Sequence, residues 1–329
     1  MLATRPFAAT GRNVTAVGFG AWAIGGTWGE VTEQDAVAAL HAALDAGVDF
    51  IDTADVYGDG RSERIIASVL ATRTGPCPCV ATKVGRRITP HTPENYTRAT
   101  LEAHIDRSRR NLRMDCLDLV QLHCPPSAVF DTSRVFEAMQ EIRDTGKIAN
   151  FGVSVERIEE AEKAIAYPGV ISVQIIYNLF RQRPSETFFA AAARENIAII
   201  ARVPLASGLL TGKMTAASTF ADDDHRSFNR DGAAFDKGET FSGVPYDVAL
   251  EAVEALRPIV PHGTSMSAFA LRWILMQDAV TVVIPGAKSP AQAIGNAAAL
   301  TLPPIPPQTM QAARDIYTTL IAPHVHSQW

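Results

Sequence analysis

Apolar residues fall along this chain in short runs that alternate with longer stretches where they recur every three or four positions. The short runs are TAVGFG (15–20), VDFID (48–52), CVATKV (79–84), LDLVQLH (117–123), NFGVS (150–154), ISVQIIY (171–177), IAIIARV (197–203) and VTVVIPG (280–286). Their length and their Val and Ile content predict eight buried strands. The longer stretches predict helices. EQDAVAALHAALDAG (33–47) has a helical apolar stripe and a glycine stop, and comparable patterns cover roughly 94–112, 133–145, 156–166, 185–195, 246–257 and 266–277.

Continuously apolar strands alternating with helices imply a parallel sheet covered on its outer face. Eight such units predict an α/β chain folded as a single (β/α)8 TIM barrel over residues 1–329, with no linker between domains. The longest irregular segment, 211–245, follows the seventh strand, and a loop of that length is usually functional or mobile. In this architecture the active site lies at the carboxyl ends of the strands. The residues that close each apolar run are therefore the ones to weigh.

Composition narrows the field. The chain of 329 residues is 47% hydrophobic and 20% charged, enough to bury a sizeable core, and its net charge of −5 comes without a block of like charge. Nothing in it suggests a nucleic-acid or anionic-lipid footprint, and RSRRNLR (107–113) reads as a solvated helix face. No apolar run approaches the roughly 18 residues of a membrane span, and the first residues do not resemble a signal peptide, so a cytoplasmic location is expected. Four cysteines, two of them in the C-P-C triplet 77–79, are expected as free thiols rather than a zinc set or a disulfide framework.

The strand ends carry the chemistry. The second run ends in Asp52, with Tyr57 just beyond; the third holds Lys83 near its end, the fourth ends in His123, the fifth in Ser154, and the sixth carries Gln174. Each alone is explicable as a cap or a rim residue. Together they converge on one barrel mouth as a carboxylate, a phenol, an ammonium and an imidazole. A phenol of ordinary pKa about 10 is a poor acid–base group near neutrality. A neighbouring ammonium is expected to lower that value, with a carboxylate to hold the ammonium in place. This is equipment for carbonyl reduction or alcohol oxidation, without a redox centre of its own.

The stretches FIDTADVYG, ATKVG, DLVQLH, GVS (152–154), PLASGLLTGK (204–213) and IPGAKSPAQAIGN (284–296), in this order, resemble the aldo-keto reductase superfamily over nearly the whole chain. The resemblance implies a (β/α)8 barrel, a catalytic tetrad at Asp52, Tyr57, Lys83 and His123, and a nicotinamide dinucleotide across the barrel mouth. Neither GFGAWAIGG nor GLLTGKM completes a recognised dinucleotide or phosphate motif, which agrees with a family that uses neither. By position, Gly20, Ala21 and Trp22 are implied at the nicotinamide end, and Ser154 and Gln174 at its carboxamide. Pro204, Leu205, Ala206, Ser207 and Lys213 are implied along the pyrophosphate, with Arg226 closing over it. Gly286, Lys288, Ser289, Gln292 and Asn296 are implied at the adenosine end, where a helix opening near Ser289–Pro290 favours an anion.

Lys288 and Ser289 at that helix start point to NADP rather than NAD, and no metal is expected. Three positions depart from the family pattern. Val155 stands where many members have Asn, and Gly295 replaces an acidic residue that commonly contacts adenine. Arg202 replaces the aromatic that usually stacks on nicotinamide but is implied at the cofactor, with a guanidinium plane that can also stack. The expected activity is an NADP(H)-dependent interconversion of an aldehyde or ketone and its alcohol, with Tyr57 as proton donor and a small carbonyl or alcohol as substrate. Trp22, Tyr57 and Trp28 suggest an aromatic-lined substrate pocket, with Phe235 and Phe241 of the long loop near it. Potassium-channel beta subunits resemble the same family, so an NADPH-binding regulatory or redox-sensing subunit is the alternative. A metal-dependent barrel hydrolase is disfavoured, because only His123 and Asp52 are available as ligands at the strand ends.

Overall fold

The computed structural model describes residues 2–26 and 28–329. Ten strands are present among these residues: β1 (Thr4–Pro6), β2 (Asn13–Thr15), β3 (Phe19–Gly20), β4 (Phe50–Asp52), β5 (Cys79–Val84), β6 (Leu119–His123), β7 (Phe151–Ser154), β8 (Val170–Ile176), β9 (Ala198–Arg202) and β10 (Val280–Val283). Strands β3 to β10 are the eight expected ones. They form one parallel sheet in sequential order. The sheet closes on itself: Val17 bridges Val283 and Gly20 bridges Gly286, with Gly18 N–H donating to Val283 O at 2.8 Å and Gly20 N–H to Pro285 O at 3.0 Å. A side chain at position 20 would place its Cβ 2.6 Å from Ile284 O, so the seam needs glycine there.

Helices follow the strands as the periodicity predicts, at Glu33–Asp45, Arg98–Leu112, Arg134–Asp144, Ile158–Ala164, Phe188–Arg194, Tyr246–Leu256 and Met266–Leu275. Another begins at Pro290 with Ser289 as its cap, where the sequence placed a helix start. Two long helices were not anticipated, Arg61–Ala71 and Pro307–Ile316. The hairpin of β1 and β2 was not anticipated either.

Strand alternation divides the buried residues into two groups. Ile51, Val80, Val84, Val120, Leu122, Val153, Val173, Ile175, Ile199 and Val283 point outward into a large core beneath the helices. Phe50, Cys79, Ala81, Leu119, Ala198, Ile200 and Val282 point into the barrel, where Phe7 and Val14 from the hairpin region join them. Phe7 packs on Phe50 with ring centroids 5.5 Å apart, so the hairpin stoppers the amino-terminal end of the barrel. Two residues further along the same inward-facing rows come Asp52, Lys83, Gln121 and Arg202; His123 lies four beyond Leu119. The lumen is apolar below and polar above because the strands change composition near their carboxyl ends while keeping a period of two.

Candidate active site

Lys83 is completely buried, and its ammonium explains how that is tolerated. Nζ lies 2.5 Å from Asp52 Oδ2, donates to Thr53 O at 2.9 Å and to the Tyr57 hydroxyl at 3.4 Å. Gln174 Nε2 and Gln121 Nε2 donate to the other Asp52 oxygen, at 2.7 and 3.3 Å. A buried ion pair is tolerated when its remaining lone pairs and protons find partners, as they do here. Burial alone would depress the lysine; the charges of Asp52 and Tyr57 outweigh it and raise its pKa, so the ammonium stays charged.

Tyr57 stands on the turn after β4. That turn is fixed by Thr53 N–H to Ala81 O at 2.8 Å and Asp55 N–H to Lys83 O at 3.1 Å. Beside it Gly58 has φ +59°, and a Cβ there would lie 2.0 Å from Gly25 O, so the turn seats on the chain after β3 only with glycine at this place. The phenol's pKa departs from the sequence expectation. Burial pushes it above its ordinary value of 10, and the opposing pull of Lys83 does not overcome this. Tyr57 is thus a phenol that keeps its proton. The His123 ring meets it edge-on at 5.9 Å. Burial, then the charges of Arg86, Lys83 and Arg202, hold the imidazole well below 6.5, so it is neutral. Its Nδ1 is buried with no hydrogen-bond partner.

Two cavities meet at Tyr57 and Trp22. The larger, about 640 Å³, is a cleft that runs from Asp52, Tyr57 and His123 past Ser154, Gln174 and Arg202, then along Pro204, Leu205, Ser207 and Lys213, to Gly286, Lys288, Gln292 and Asn296. Gly20, Trp22 and Arg226 line it too. The smaller, about 470 Å³, opens on the other side of Tyr57.

The model of the aldo/keto reductase family matches residues 16–318. The chain belongs to the aldo/keto reductase family. It is similar to the aldo-keto reductase YhdN of Bacillus subtilis, with 33% identity over 86% of this chain and 84% of that one. It is also similar to the aldo-keto reductase yakc [NADP(+)] of Schizosaccharomyces pombe, with 29% identity over 84% and 80% of the two chains. Among solved structures, the glycerol dehydrogenase AKR11B4 from Gluconobacter oxydans aligns with a TM-score of 0.78 and 30% identity over 99% of this chain and 97% of its own.

In this aldo/keto reductase most residues implied at the cofactor face the large cleft, but not all. Ala21 and Ala206 are wholly buried behind it, and Ser289 spends its hydroxyl as a helix cap, accepting from Gln292 N–H. Gln174 points at Asp52 and Gln121 as well as lining the cleft. Lys288 is half-buried and donates from Nζ to Trp28 O across the cleft; burial, with Arg226 nearby, lowers its pKa. Trp28 lines the cleft rather than the small chamber, with Arg226 5.1 Å from its ring and the His225 ring 4.4 Å away. Arg226 in turn holds Asp224, at 2.9 and 2.5 Å. A Cβ at Gly295 would meet nothing within 4 Å.

Arg202 differs most from expectation. It does not lie free to stack on a ring: Nη2 donates to Glu156 Oε2 at 2.7 Å and to Val155 O at 3.0 Å, and Nη1 lies 3.3 Å from Glu239 Oε1. Arg86 completes the arrangement, pairing with Glu156 at 2.9 Å and with Glu239. Burial pushes Glu156 up to about 7 against the pull of Arg202, whereas at Glu239 the two arginines overcome burial and hold the carboxyl far below its usual range. The sequence reading missed Arg86, Glu156 and Glu239. Arg86 and Glu156 sit just past strand ends, a position that could have drawn attention to them; Glu239, in the long loop, left no signal. Phe235 lines the small chamber and meets Trp22 at 5.9 Å, while Phe241 of the same loop is buried and lines neither cavity.

Proposed function

We propose that this protein interconverts an aldehyde or ketone and the corresponding alcohol with NADP(H), Tyr57 giving the proton in reduction. The observation that carries this reading is the place of Tyr57. One phenol, braced by Lys83 and Asp52 and met by His123, borders both a long cleft and a separate small chamber. That is the position required of an acid acting between a bound dinucleotide and a carbonyl compound.

The cleft fits the dinucleotide by its donor set. Ser154 and Gln174 offer hydrogen bonds near the tetrad, and Lys213, Arg226 and Lys288 supply positive charge along the remainder, where phosphates would lie. When bound, the nicotinamide supplies a hydride. The chain's own part is to fix the carbonyl and manage its proton. Neutral His123 can donate a hydrogen bond to the carbonyl oxygen and orient it. Tyr57 gives that oxygen its proton, and Lys83, held charged by Asp52, stabilises the phenolate left behind. Trp22, stacked on Tyr57 at 6.0 Å, sets a second aromatic face beside the reacting centre. Lys288 supports NADP over NAD, as does the NADP(+) in the name of the fission-yeast relative. Its bond to Trp28 O must then give way to the 2′-phosphate.

The test is a titration with each cofactor followed by turnover with a panel of aldehydes, ketones and sugars, read from nicotinamide absorbance. The expected result is a Kd for NADPH about tenfold or more below that for NADH, a difference of about 1.4 kcal/mol, with steady oxidation of NADPH. Tighter NADH binding would reverse the cofactor assignment. Tight NADPH binding with no turnover across the panel would favour the regulatory alternative.

A further inference from the structure

The small chamber beside Tyr57 has aromatic and aliphatic walls, from Trp22, Val56 and Phe235, but an ionic floor. Arg86 after β5, Glu156 after β7, Arg202 at the end of β9 and Glu239 from the long loop form a closed ring of alternating charge. Arg86 bonds both glutamates, and Arg202 bonds both glutamates. Side-chain exposures of 17, 14, 8 and 5% show that all four groups have been largely withdrawn from water. With Glu156 ionised the ring sums to zero, and Arg86, Glu156 and Glu239 line the chamber, as does the carboxylate of Asp236.

We propose that this ring is a hydroxyl-recognising subsite, and that the carbonyl substrate carries no anionic group and at least one hydroxyl close to its carbonyl. This rests on the reductase reading above. A chain of CH2 groups laid on the ring would strip water from charged groups and return no hydrogen bonds. A hydroxyl both donates and accepts, so it can give its proton to a glutamate while accepting from Arg86. A carboxylate or phosphate finds no spare cation, because both guanidinium groups are already committed to the glutamates. Asp236, which also lines the chamber, adds a negative charge against an anion and a further acceptor for a hydroxyl. The same commitment argues against a metal ion. Cys124, Glu156 and Glu239 bring ligand atoms within 4.8 Å of one another, but both carboxylates already accept from arginine. The chamber of about 470 Å³ has room for a short hydroxylated chain with its carbonyl at Tyr57.

The experiment compares kcat/KM, with NADPH saturating, for glyceraldehyde, propanal and glyoxylate: three short aldehydes that differ in whether they carry hydroxyls, no polar substituent or a carboxylate. Glyceraldehyde is expected to exceed propanal by about tenfold or more, equivalent to about 1.4 kcal/mol, with glyoxylate the poorest. In Glu156→Gln the glyceraldehyde-to-propanal ratio is expected to fall toward one. The wild-type comparison decides the matter even if that variant does not fold. Propanal matching or exceeding glyceraldehyde overturns the subsite while leaving the reductase intact, and so does a preference for glyoxylate. Turnover of none of the three, with NADPH demonstrably bound, overturns the reductase reading and the subsite with it.

Discussion

At the scale of single residues, Tyr57 and His123 have their protonation set by burial more than by neighbours. An ammonium beside a phenol suggests an acidified tyrosine when the pair is read as a sequence. In the structure the cost of burying a phenolate is the larger effect, so Tyr57 rises above 10, while His123 falls well below 6.5. The signs give a pH profile. Between pH 6.5 and 10 neither group changes its proton, so once Glu156, at about 7, has ionised, kcat for reduction of a simple aldehyde should stay level up to pH 10. It should fall only above pH 10, as Tyr57 loses the proton that it is proposed to give. Alcohol oxidation, which needs the phenolate, should climb through the same alkaline range. Steady-state rates in both directions check this; a reduction rate that falls between about pH 8 and 10, above the Glu156 transition, would contradict the direction of the Tyr57 shift.

At the scale of elements, strands were far more legible than loops. Strands β4 to β9 are short apolar runs that carry a polar residue near the carboxyl end, so both the strand and its candidate site residue are written in one stretch of chain. Asp52, Lys83 and His123 were found that way. The helix Arg61–Ala71 was hidden because its stripe begins directly after the glycine-rich turn that carries Tyr57. The hairpin of β1 and β2 was hidden because its strands are three residues each and lie around Pro6 and Gly11. The charge ring was hidden for a different reason: Arg86 and Glu239 meet across 153 positions, and no local pattern records such a pairing.

The long loop that brings Glu239 is itself clamped by Trp329. The indole donates to Asp236 at 3.0 and 3.1 Å, Arg181 lies 3.7 Å over its ring, and Gly238 and Gly243 leave the room it fills. Asp236 lines the small chamber beside Phe235. A hydrogen bond of about 1 kcal/mol and a desolvated cation–π contact of up to about 2 kcal/mol hold that clamp. Trp329→Ala should therefore raise KM for the carbonyl substrate about tenfold or more and change kcat much less, because the tetrad stands on other elements. Equal losses in both parameters would place Trp329 in the fold rather than in the loop.

At the scale of the whole molecule, closing the sheet gives the site its parts. Asp52, Lys83 and His123 come from β4, β5 and β6, three neighbouring staves, and the cleft runs from them across the mouth to the helix that begins at Pro290, after β10. Sequential strand order is what lets residues read separately along the chain arrive at one opening. Among the described residues no helix is long and apolar enough to cross a membrane.

The most direct test of the central claim is single-turnover reduction of an aldehyde by preformed NADPH complexes of the wild type and of Tyr57→Phe. The variant removes one hydroxyl from a position bordering both cavities. The account predicts that NADPH binds with little change and that the chemical step slows by a factor of about 10² to 10⁴, the usual contribution of a positioned acid. A chemical step as fast as that of the wild type, with NADPH bound, would contradict it.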